Sequence, residues 1–200
     1  MKIMGNLAFD DLDYVKRKFV KNNVTGKYEQ VWACPYYAKW KLMINRVFTK
    51  ARSSSNMMYD GVLIDDSWRY FSNFKSWMIN KDWEGNELDK DMMSVITGKR
   101  EYSPDNCVFV SRNLNAFLVT QDSSRGIHPL GVRPENKGFY ASMRIFGKMT
   151  RLGKFNTPEE AHKAWQLAKW KYGQELLSKQ SDPRVIQAMH VILHKLGEDW

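Results

Sequence analysis

The sequence lacks three features that would have assigned it to a familiar class. Its two cysteines, Cys34 and Cys107, stand alone rather than in CxxC pairs, which excludes a zinc ribbon and a disulfide framework and favours a reducing compartment. No apolar run approaches the ~18 residues of a membrane-spanning helix. The stretch MKIMGNLAFDDLDYVKRKF carries acidic residues where a signal peptide needs an unbroken apolar run. We therefore expect a soluble, cytoplasmic protein with no membrane partner.

Positive charge, in contrast, is abundant. The 200 residues contain 31 lysines and arginines against 22 acidic residues, which gives a net charge of +9 and a pI of about 9.5. This balance suits a polyanionic partner, although an anionic membrane surface would fit the charge alone. Hydrophobic residues make up 43% of the chain, enough for a buried core in one large or two small domains.

Two amphipathic helices are predicted in the N-terminal half. Apolar side chains recur at spacings of three and four from Tyr36 to Val47, and aromatic residues dominate a second such stripe that ends at Met78. Asp66 or Ser67 is the expected N-cap of the second helix. Its many aromatic residues indicate a core. The first 30 residues show no clear period and are expected to be irregular or helical over short stretches.

The C-terminal region follows a loss of periodicity at residues 121–130, QDSSRGIHPL, where serine, glycine and proline indicate a linker. Strict alternation in GFYASMRIFG, flanked by GVRP and MTRLGKF, predicts three antiparallel strands. The stretch TPEE then supplies the capping box of a long helix, and SDP opens a last one. A small sheet covered by one helix leaves its other face exposed to solvent.

Basic residues concentrate on that exposed face. Between residues 131 and 154 there are six basic residues and one acidic residue. A two- or three-stranded sheet is narrow enough to enter a DNA major groove, where arginine can donate two hydrogen bonds to guanine while lysine and serine hold phosphates. A solvated basic face without a ligand is the alternative. The candidate DNA-binding residues are Arg133, Lys137, Tyr140, Ser142, Arg144, Lys148 and Arg151.

The pattern GVR…FYASMRIFGKMTRLGKFNTPEEAHKAW resembles the plant Apetala-type DNA-binding domain. That family has GVR, an aromatic residue, Ala-x-hydrophobic-Arg, LGxF and Thr-x-Glu-Glu-Ala in the same order. The resemblance implies contacts to double-stranded DNA through Arg133, Tyr140, Ser142, Arg144 and Arg151. Ser142 and Arg151 replace an acidic or large side chain and an aromatic one, so the base sequence that the family reads is not implied.

Residues 88–117 read as a strand, a turn-rich loop, a second strand and an asparagine-rich helix. With the helices before it, this segment resembles phage-encoded HNH-type homing endonucleases that carry a C-terminal Apetala-type domain. The resemblance implies Asp89 and Asn106 as ligands of one divalent metal, with Asn115 at the third motif position. Lys90 stands where the family has its general-base histidine. Oxygen donors of this kind suit Mg²⁺ or Mn²⁺ rather than zinc.

The identity of the general base stays open. Asp91 is two residues from Asp89 and would share its strand face, so it could bind the metal or act as the base. A lysine that is not desolvated is protonated at neutral pH, which makes Lys90 better suited to holding a phosphate. The rival groups are the four histidines, His128, His162, His190 and His194. Of these, His128 is favoured because a linker can fold back on the site.

Together these patterns predict an α+β protein. An N-terminal helical and HNH-like ββα-metal domain covers residues 1–120, a linker 121–130, and an antiparallel three-stranded sheet packed on a helix, with an extra C-terminal helix, 131–200. The expected function is a site-specific, divalent-metal-dependent DNA endonuclease that nicks or cuts both strands, acting as a monomer in the cytoplasm of a bacterial host. A catalytically inactive DNA-binding regulator is the alternative. A third interpretation of residues 88–117 is purely structural: Asp89 and Asp91 flank a turn, and Asn106 caps a bend.

Overall fold

A computed structural model describes residues 2–3, 7–48, 61–118 and 127–198. Its fold is mixed α+β, as the sequence predicts, with several small sheets. The strands are β1 (Lys2–Ile3), β2 (Ala8–Phe9), β3 (Arg17–Lys21), β4 (Tyr28–Ala33), β5 (Leu63–Ile64), β6 (Glu87–Asp89), β7 (Glu101–Tyr102), β8 (Val108–Val110), β9 (Val132–Glu135), β10 (Gly138–Ile145) and β11 (Lys148–Phe155). The helices are α1 (Pro35–Phe48), α2 (Phe71–Met78), α3 (Asp91–Thr97), α4 (Arg112–Leu118), α5 (Pro158–Leu177) and α6 (Pro183–Glu198). Over these ranges no helix is long and apolar enough to cross a bilayer.

The chain divides into two compact units whose boundaries interleave in sequence. The first unit comprises Met1–Lys90 and Lys99–Phe109, and the second comprises Asp91–Gly98 and Val110–Trp200. The domain boundary predicted from the linker at 121–130 remains a prediction, and residues 121–126 lie outside the described ranges.

An aromatic cluster between α1 and α2 forms the core of the first unit. Trp40 and Ile44 of α1 are fully buried, as are Trp68 and Phe71. The indole Nε1 of Trp40 donates a 2.8 Å hydrogen bond to the carbonyl oxygen of Trp68, and its ring centroid lies 5.3 Å from that of Phe71. Aromatic pairs of this kind add about 0.5–1.5 kcal/mol beyond the burial of their area. The apolar stripe read from the sequence is thus the part of the chain that builds this core.

The segment before α2 begins differently from the prediction. Its N-cap is Asp65, not Asp66 or Ser67, because the Asp65 side chain accepts a 2.9 Å hydrogen bond from the backbone N–H of Ser67. The capped element is a short 3-10 turn, and α2 starts only after Tyr70, which is extended. The turn still buries Trp68.

Strands, rather than irregular or helical segments, occupy the start of the chain. β1 pairs with β2, and β3 pairs with β4 in an antiparallel hairpin. Every residue of the hairpin strands is exposed except Ala33, which is half-buried. The period-2 alternation of apolar and polar residues marks strands that bury one face. A hairpin without a buried face does not show it.

The second unit is built on a three-stranded antiparallel sheet in the order β11-β10-β9. One face of this sheet packs on α5 and buries Ala141 and Met143 of β10. The predicted capping box is confirmed: the backbone N–H of Glu160 donates to Oγ1 of Thr157 at 3.2 Å, and the Glu160 carboxylate accepts from the backbone of Thr157. The last helix, α6, packs against both α5 and α3.

Lys169 is a buried cation within the second unit. It is 8% exposed, and its Nζ donates a 2.5 Å hydrogen bond to the carbonyl oxygen of Phe117. The same nitrogen lies 4.0 Å from the centroid of the Phe117 ring. Burial lowers the pKa of Lys169 from 10.5 to about 8. The folded protein therefore releases the Lys169 proton at a lower pH than the unfolded chain does.

We expect the contribution of Lys169 to stability to increase as the pH rises from about 8 to 10.5, because the unfolded chain binds more protons at Lys169 over that window. A single group contributes a slope of at most about 1.4 kcal/mol per pH unit. Lys169→Met should lose this slope. The free energy of unfolding of the variant minus that of the parent should therefore be largest below pH 8 and should decrease as the pH rises. Urea unfolding at several pH values measures this difference.

The control for this measurement is Lys171→Met. Lys171 is exposed on the same helix, two residues further along. Its variant should keep the pH dependence of the parent. If both variants follow the parent, or if both lose the slope, the charge buried at Lys169 is not its source.

Candidate nucleic-acid interface and metal site

The exposed face of the β9–β11 sheet carries most of the predicted DNA-binding side chains. Directly opposed residues of antiparallel strands share a face of the sheet. The four cations of this face are exposed, whereas Tyr140 and Ser142 are half-buried between them. The register lines the face with Arg133, Tyr140, Ser142, Arg144, Met149, Arg151 and Lys154.

A β-bulge in β11 brings Arg151 to this face. The register places Lys154 opposite Tyr140 but Arg151 opposite Ser142, so that Leu152 is an extra residue in the ladder. Strict alternation from Lys154 would turn Leu152 toward solvent and Arg151 toward α5. The bulge therefore exchanges an apolar side chain for a cation on the exposed face.

Glu135 is an acidic residue on the same face, and it holds two of its cations. Nη2 of Arg151 donates to the Glu135 carboxylate at 2.6 Å, and Nζ of Lys154 lies 3.8 Å from the same oxygen. The hydrogen bond from Arg151 lowers the pKa of Glu135. The Arg151 guanidinium also lies 4.7 Å from the centroid of the Tyr140 ring. A phosphate that binds Arg151 would therefore compete with Glu135.

The turns at the ends of β10 adjoin the basic face. Lys137, in the turn before β10, and Lys148, the first residue of β11, are both exposed. Nη1 of Arg144 donates a 2.7 Å hydrogen bond to the carbonyl oxygen of Gly147, which fixes the guanidinium against the β10–β11 turn. Five of the seven predicted DNA-binding residues thus lie on this sheet face and Lys137 lies in an adjoining turn. Lys148 pairs with Ile145, so the register places it on the other face.

A cleft of about 810 Å³ opens beside Arg144 within the second unit. Helix α4 contributes Arg112 and Asn115 to its wall, and the β10–β11 hairpin contributes Arg144, Gly147 and Met149. Two guanidinium groups and an amide are donors that suit a phosphate. Asn115, which the resemblance implied at the third position of the metal motif, therefore shares a cleft with a residue predicted to bind DNA.

Asp89 and Lys90 lie at the end of β6 and are both buried. Their exposed fractions are 5% and 4%, and β6 pairs with β8. Nζ of Lys90 lies 5.9 Å from the centroid of the Tyr102 ring. This position keeps Lys90 away from the surface that a DNA phosphate would reach, whereas the sequence suggested a phosphate contact.

Asn106 acts as a clamp between backbone segments. It is 2% exposed, and its Nδ2 lies 2.9 Å from the carbonyl oxygen of Glu101 and 3.2 Å from those of Lys90 and Lys99. Its own backbone N–H donates to Oγ of Ser103 at 3.2 Å. Since the amide nitrogen faces these carbonyls, the amide oxygen is directed away from them.

The predicted metal ligands occupy neighbouring positions in the first unit, because the Asn106 amide contacts the residue that follows Asp89. One carboxylate and one amide oxygen fit a hard dication such as Mg²⁺, which commonly takes one or two carboxylates and keeps several waters. In the part of the chain that the structure describes, no group of three or more His, Cys, Asp or Glu is placed to hold a metal. Any metal here would be held by few protein ligands.

Asp91 does not continue the strand of Asp89. It is the exposed first residue of α3, and β6 ends at Asp89, so the strand spacing that would have put the two carboxylates on one face does not apply. Asp91 belongs to the second unit. The expectation of a shared strand face was therefore wrong.

The four histidines each have a place in the second unit. The His128 ring lies 5.2 Å from that of Phe139, and Nδ1 of His162 lies 2.9 Å from the carbonyl oxygen of Leu130. His190 and His194 line a cleft of about 500 Å³ formed by α5 and α6. His128 and His162 thus have separate surroundings, and His190 and His194 share one cleft.

Three residues of these surfaces, Lys154, Glu135 and Arg112, had no role predicted from the sequence. Lys154 had a signal, since it is one of the six basic residues between residues 131 and 154. The pairing of Glu135 with Arg151 depends on that bulge, which the sequence does not reveal. Arg112 had no signal, because its cleft forms from segments distant in sequence.

No known protein-family model matches the chain, and neither a curated protein nor a solved structure matches it. The function is therefore inferred from the residues and from their placement.

Proposed function

We propose that this protein binds double-stranded DNA through the exposed face of the β9–β11 sheet and cuts it with Mg²⁺ or Mn²⁺, as a homing-type endonuclease of the HNH kind. The observation that carries the proposal is the concentration of exposed cations on that face, with Arg133 and Arg144 near its two ends. A sheet of this width enters a major groove, and arginine is the side chain best suited to guanine. The Apetala-type and HNH resemblances agree with this placement.

The cleft beside Arg144 supports a path for the phosphate backbone. Arg112 and Asn115 of α4 line it together with Arg144, so a strand that leaves the sheet would meet further donors there. Phosphate contacts fix the position of a protein on the duplex, and base contacts fix the sequence. We assign positioning to this cleft and reading to the sheet.

Asp89 and Asn106 are the residues that would hold the metal. When bound, Mg²⁺ supplies charge that polarises the scissile phosphate and stabilises the leaving oxygen. Asn106 also has a structural role, since its amide nitrogen donates hydrogen bonds to the carbonyl oxygens of Lys90, Lys99 and Glu101. We do not assign the role of general base, which takes the proton from water, to Lys90, to Asp91 or to any histidine.

A DNA-binding regulator without nuclease activity is the second candidate. Two observations favour it. Lys90 stands where the HNH motif has its base, and it is 4% exposed. The amide nitrogen of Asn106 donates to three backbone carbonyl oxygens. DNA binding through the sheet requires neither residue.

One experiment separates the two candidates. Supercoiled plasmid is incubated with the protein in Mg²⁺, in Mn²⁺ and in EDTA, while binding to the same DNA is measured in parallel. Nicked or linear DNA that appears only with a divalent cation supports the nuclease. Bound but intact DNA in every lane supports the regulator. Failure to bind any DNA contradicts both.

We expect Arg144→Ala and Arg133→Ala each to weaken specific DNA binding by about 1–3 kcal/mol, the range for an arginine that donates two hydrogen bonds to a base. Fluorescence anisotropy with a duplex selected by the parent protein from a random library measures the effect. Lys163→Ala is the control, because it removes an exposed positive charge from α5 rather than from the sheet. Parent affinity in both arginine variants would remove the sheet as the reading surface.

A further inference from the structure

The β3–β4 hairpin projects with both faces exposed. All residues of β3 are exposed, as are those of β4 up to Trp32. Phe19 and Tyr28 are 52% and 70% exposed. An isolated two-stranded hairpin is marginally stable in water, and exposed apolar groups in a contiguous patch commonly mark a binding surface.

Buried contacts fix the base of the hairpin in the first unit. Nζ of Lys16 lies 2.8 Å from the carboxylate of Asp10, which is 6% exposed. The Tyr14 hydroxyl lies 2.7 Å from Sγ of the buried Cys34, and the backbone N–H of Cys34 donates to the carbonyl oxygen of Lys16. These contacts hold the two ends of the hairpin, next to Lys16 and Cys34, in the first unit.

The two faces of the hairpin differ in charge. Residues directly opposite each other share a face, so β3 and β4 place Arg17, Phe19, Lys21, Tyr28 and Gln30 on one face, which we call the basic hairpin face. This face contains no acidic residue. Alternation along β3 puts Lys18 and Val20 on the opposite face with Glu29, and a bulge at Val31 of β4 puts Trp32 there as well. Glu29 accepts a 2.6 Å hydrogen bond from Asn22.

We propose that the basic hairpin face inserts into the major groove of double-stranded DNA, as a second DNA contact in addition to that of the β9–β11 sheet. This inference rests on the proposed DNA binding of the chain. The strands have five and six residues, so they are about 17–20 Å long and about 4.8 Å apart, dimensions that a groove about 12 Å wide accepts.

The chemistry of the face fits this occupant. Arg17 and Lys21 supply charge for phosphates, Gln30 has the amide that pairs with adenine, and the aromatic rings suit thymine methyl groups. A second copy of the chain fits less well, because each copy carries a net charge of +9 and this face would oppose like charge. DNA supplies the opposite charge.

The test compares Lys21→Gln with Lys18→Gln in the full chain. The two residues lie on the same exposed strand and carry the same charge, but they face opposite sides. Binding to linear plasmid DNA is measured over a salt series. Each phosphate contact contributes about 0.9 to the slope of log affinity against log salt. We therefore expect Lys21→Gln to reduce the slope by about one, Arg17→Gln with Lys21→Gln by about two, and Lys18→Gln to leave it unchanged.

Three outcomes overturn the proposal in distinguishable ways. Equal slopes and affinities for the parent, Lys21→Gln and Lys18→Gln, with Arg144→Ala still impaired, remove the hairpin and leave the sheet. Absence of DNA binding by the parent removes both surfaces. A parent dimer, seen by sedimentation, that dissociates in the Arg17→Gln, Lys21→Gln variant assigns this face to a second copy of the chain.

Discussion

Replacing Gly131 by alanine should cost more stability than replacing Gly147, another turn glycine of the second unit. Gly131 has a φ of 77°, and an added Cβ would lie 1.9 Å from Cδ1 and 2.2 Å from Cγ of the buried Trp165. A left-handed conformation costs a non-glycine residue about 1–2 kcal/mol, and overpacking a core typically adds about 1–3 kcal/mol. We expect a combined loss of about 2–5 kcal/mol in the free energy of unfolding.

Gly147→Ala is the matched control for this prediction. Gly147 has nearly the same φ, 79°, but an added Cβ would have no atom within 4 Å. It should therefore lose only the backbone cost of about 1–2 kcal/mol. Urea unfolding followed by far-ultraviolet circular dichroism measures both variants. Equal losses would contradict the close approach of Trp165 to the turn, which anchors β9 against α5.

The helices and the C-terminal hairpin could be predicted because their signals are local. The stripe that includes Trp40 and Ile44 follows the helical period. The capping box at Thr157 uses residues three apart, and the alternation around Ala141 and Met143 reflects a strand with one buried face. Each of these patterns is complete within a few residues of the chain.

The N-terminal hairpin was missed for a physical reason. A strand alternates apolar and polar residues only where one face is buried, and the strands from Arg17 to Ala33 bury neither. The turn itself left a signal, since Asn22 accepts hydrogen bonds from the backbone of Val24 and Thr25, as asparagine does in turns. The hairpin could have been predicted from its turn residues rather than from periodicity.

The local surroundings of the candidate metal site depended on tertiary contacts. A helix, α3, replaces the loop expected after β6, and burial of its Met92 and Met93 outweighs the weak helical pattern of DMMSVIT. The carbonyls around Asn106 come from residues 5 to 16 positions away. No spacing rule collects them, so the resemblance could suggest Asn106 as a ligand but not its duty as a clamp.

Asp89→Asn should abolish cleavage while leaving DNA binding intact. The change keeps the shape of a side chain that is 5% exposed and replaces the carboxylate that would hold the metal by a neutral amide. Changes beyond the direct ligands already cost about 10–100-fold in metal affinity or activity, so loss of the carboxylate should exceed about 100-fold. Plasmid cleavage in Mg²⁺ and Mn²⁺ measures the rate, and anisotropy in EDTA measures binding.

Two further comparisons make the Asp89 result specific. Glu84→Gln removes an exposed carboxylate of the first unit and should cleave like the parent. The parent should melt at a higher temperature in Mn²⁺, because a ligand that binds only the folded state stabilises it, and Asp89→Asn should lose this shift. Asn106→Ala is a poor test, since it also removes the clamp on Lys90, Lys99 and Glu101. Parent rates and a retained Mn²⁺ shift in Asp89→Asn would place the metal elsewhere in the protein.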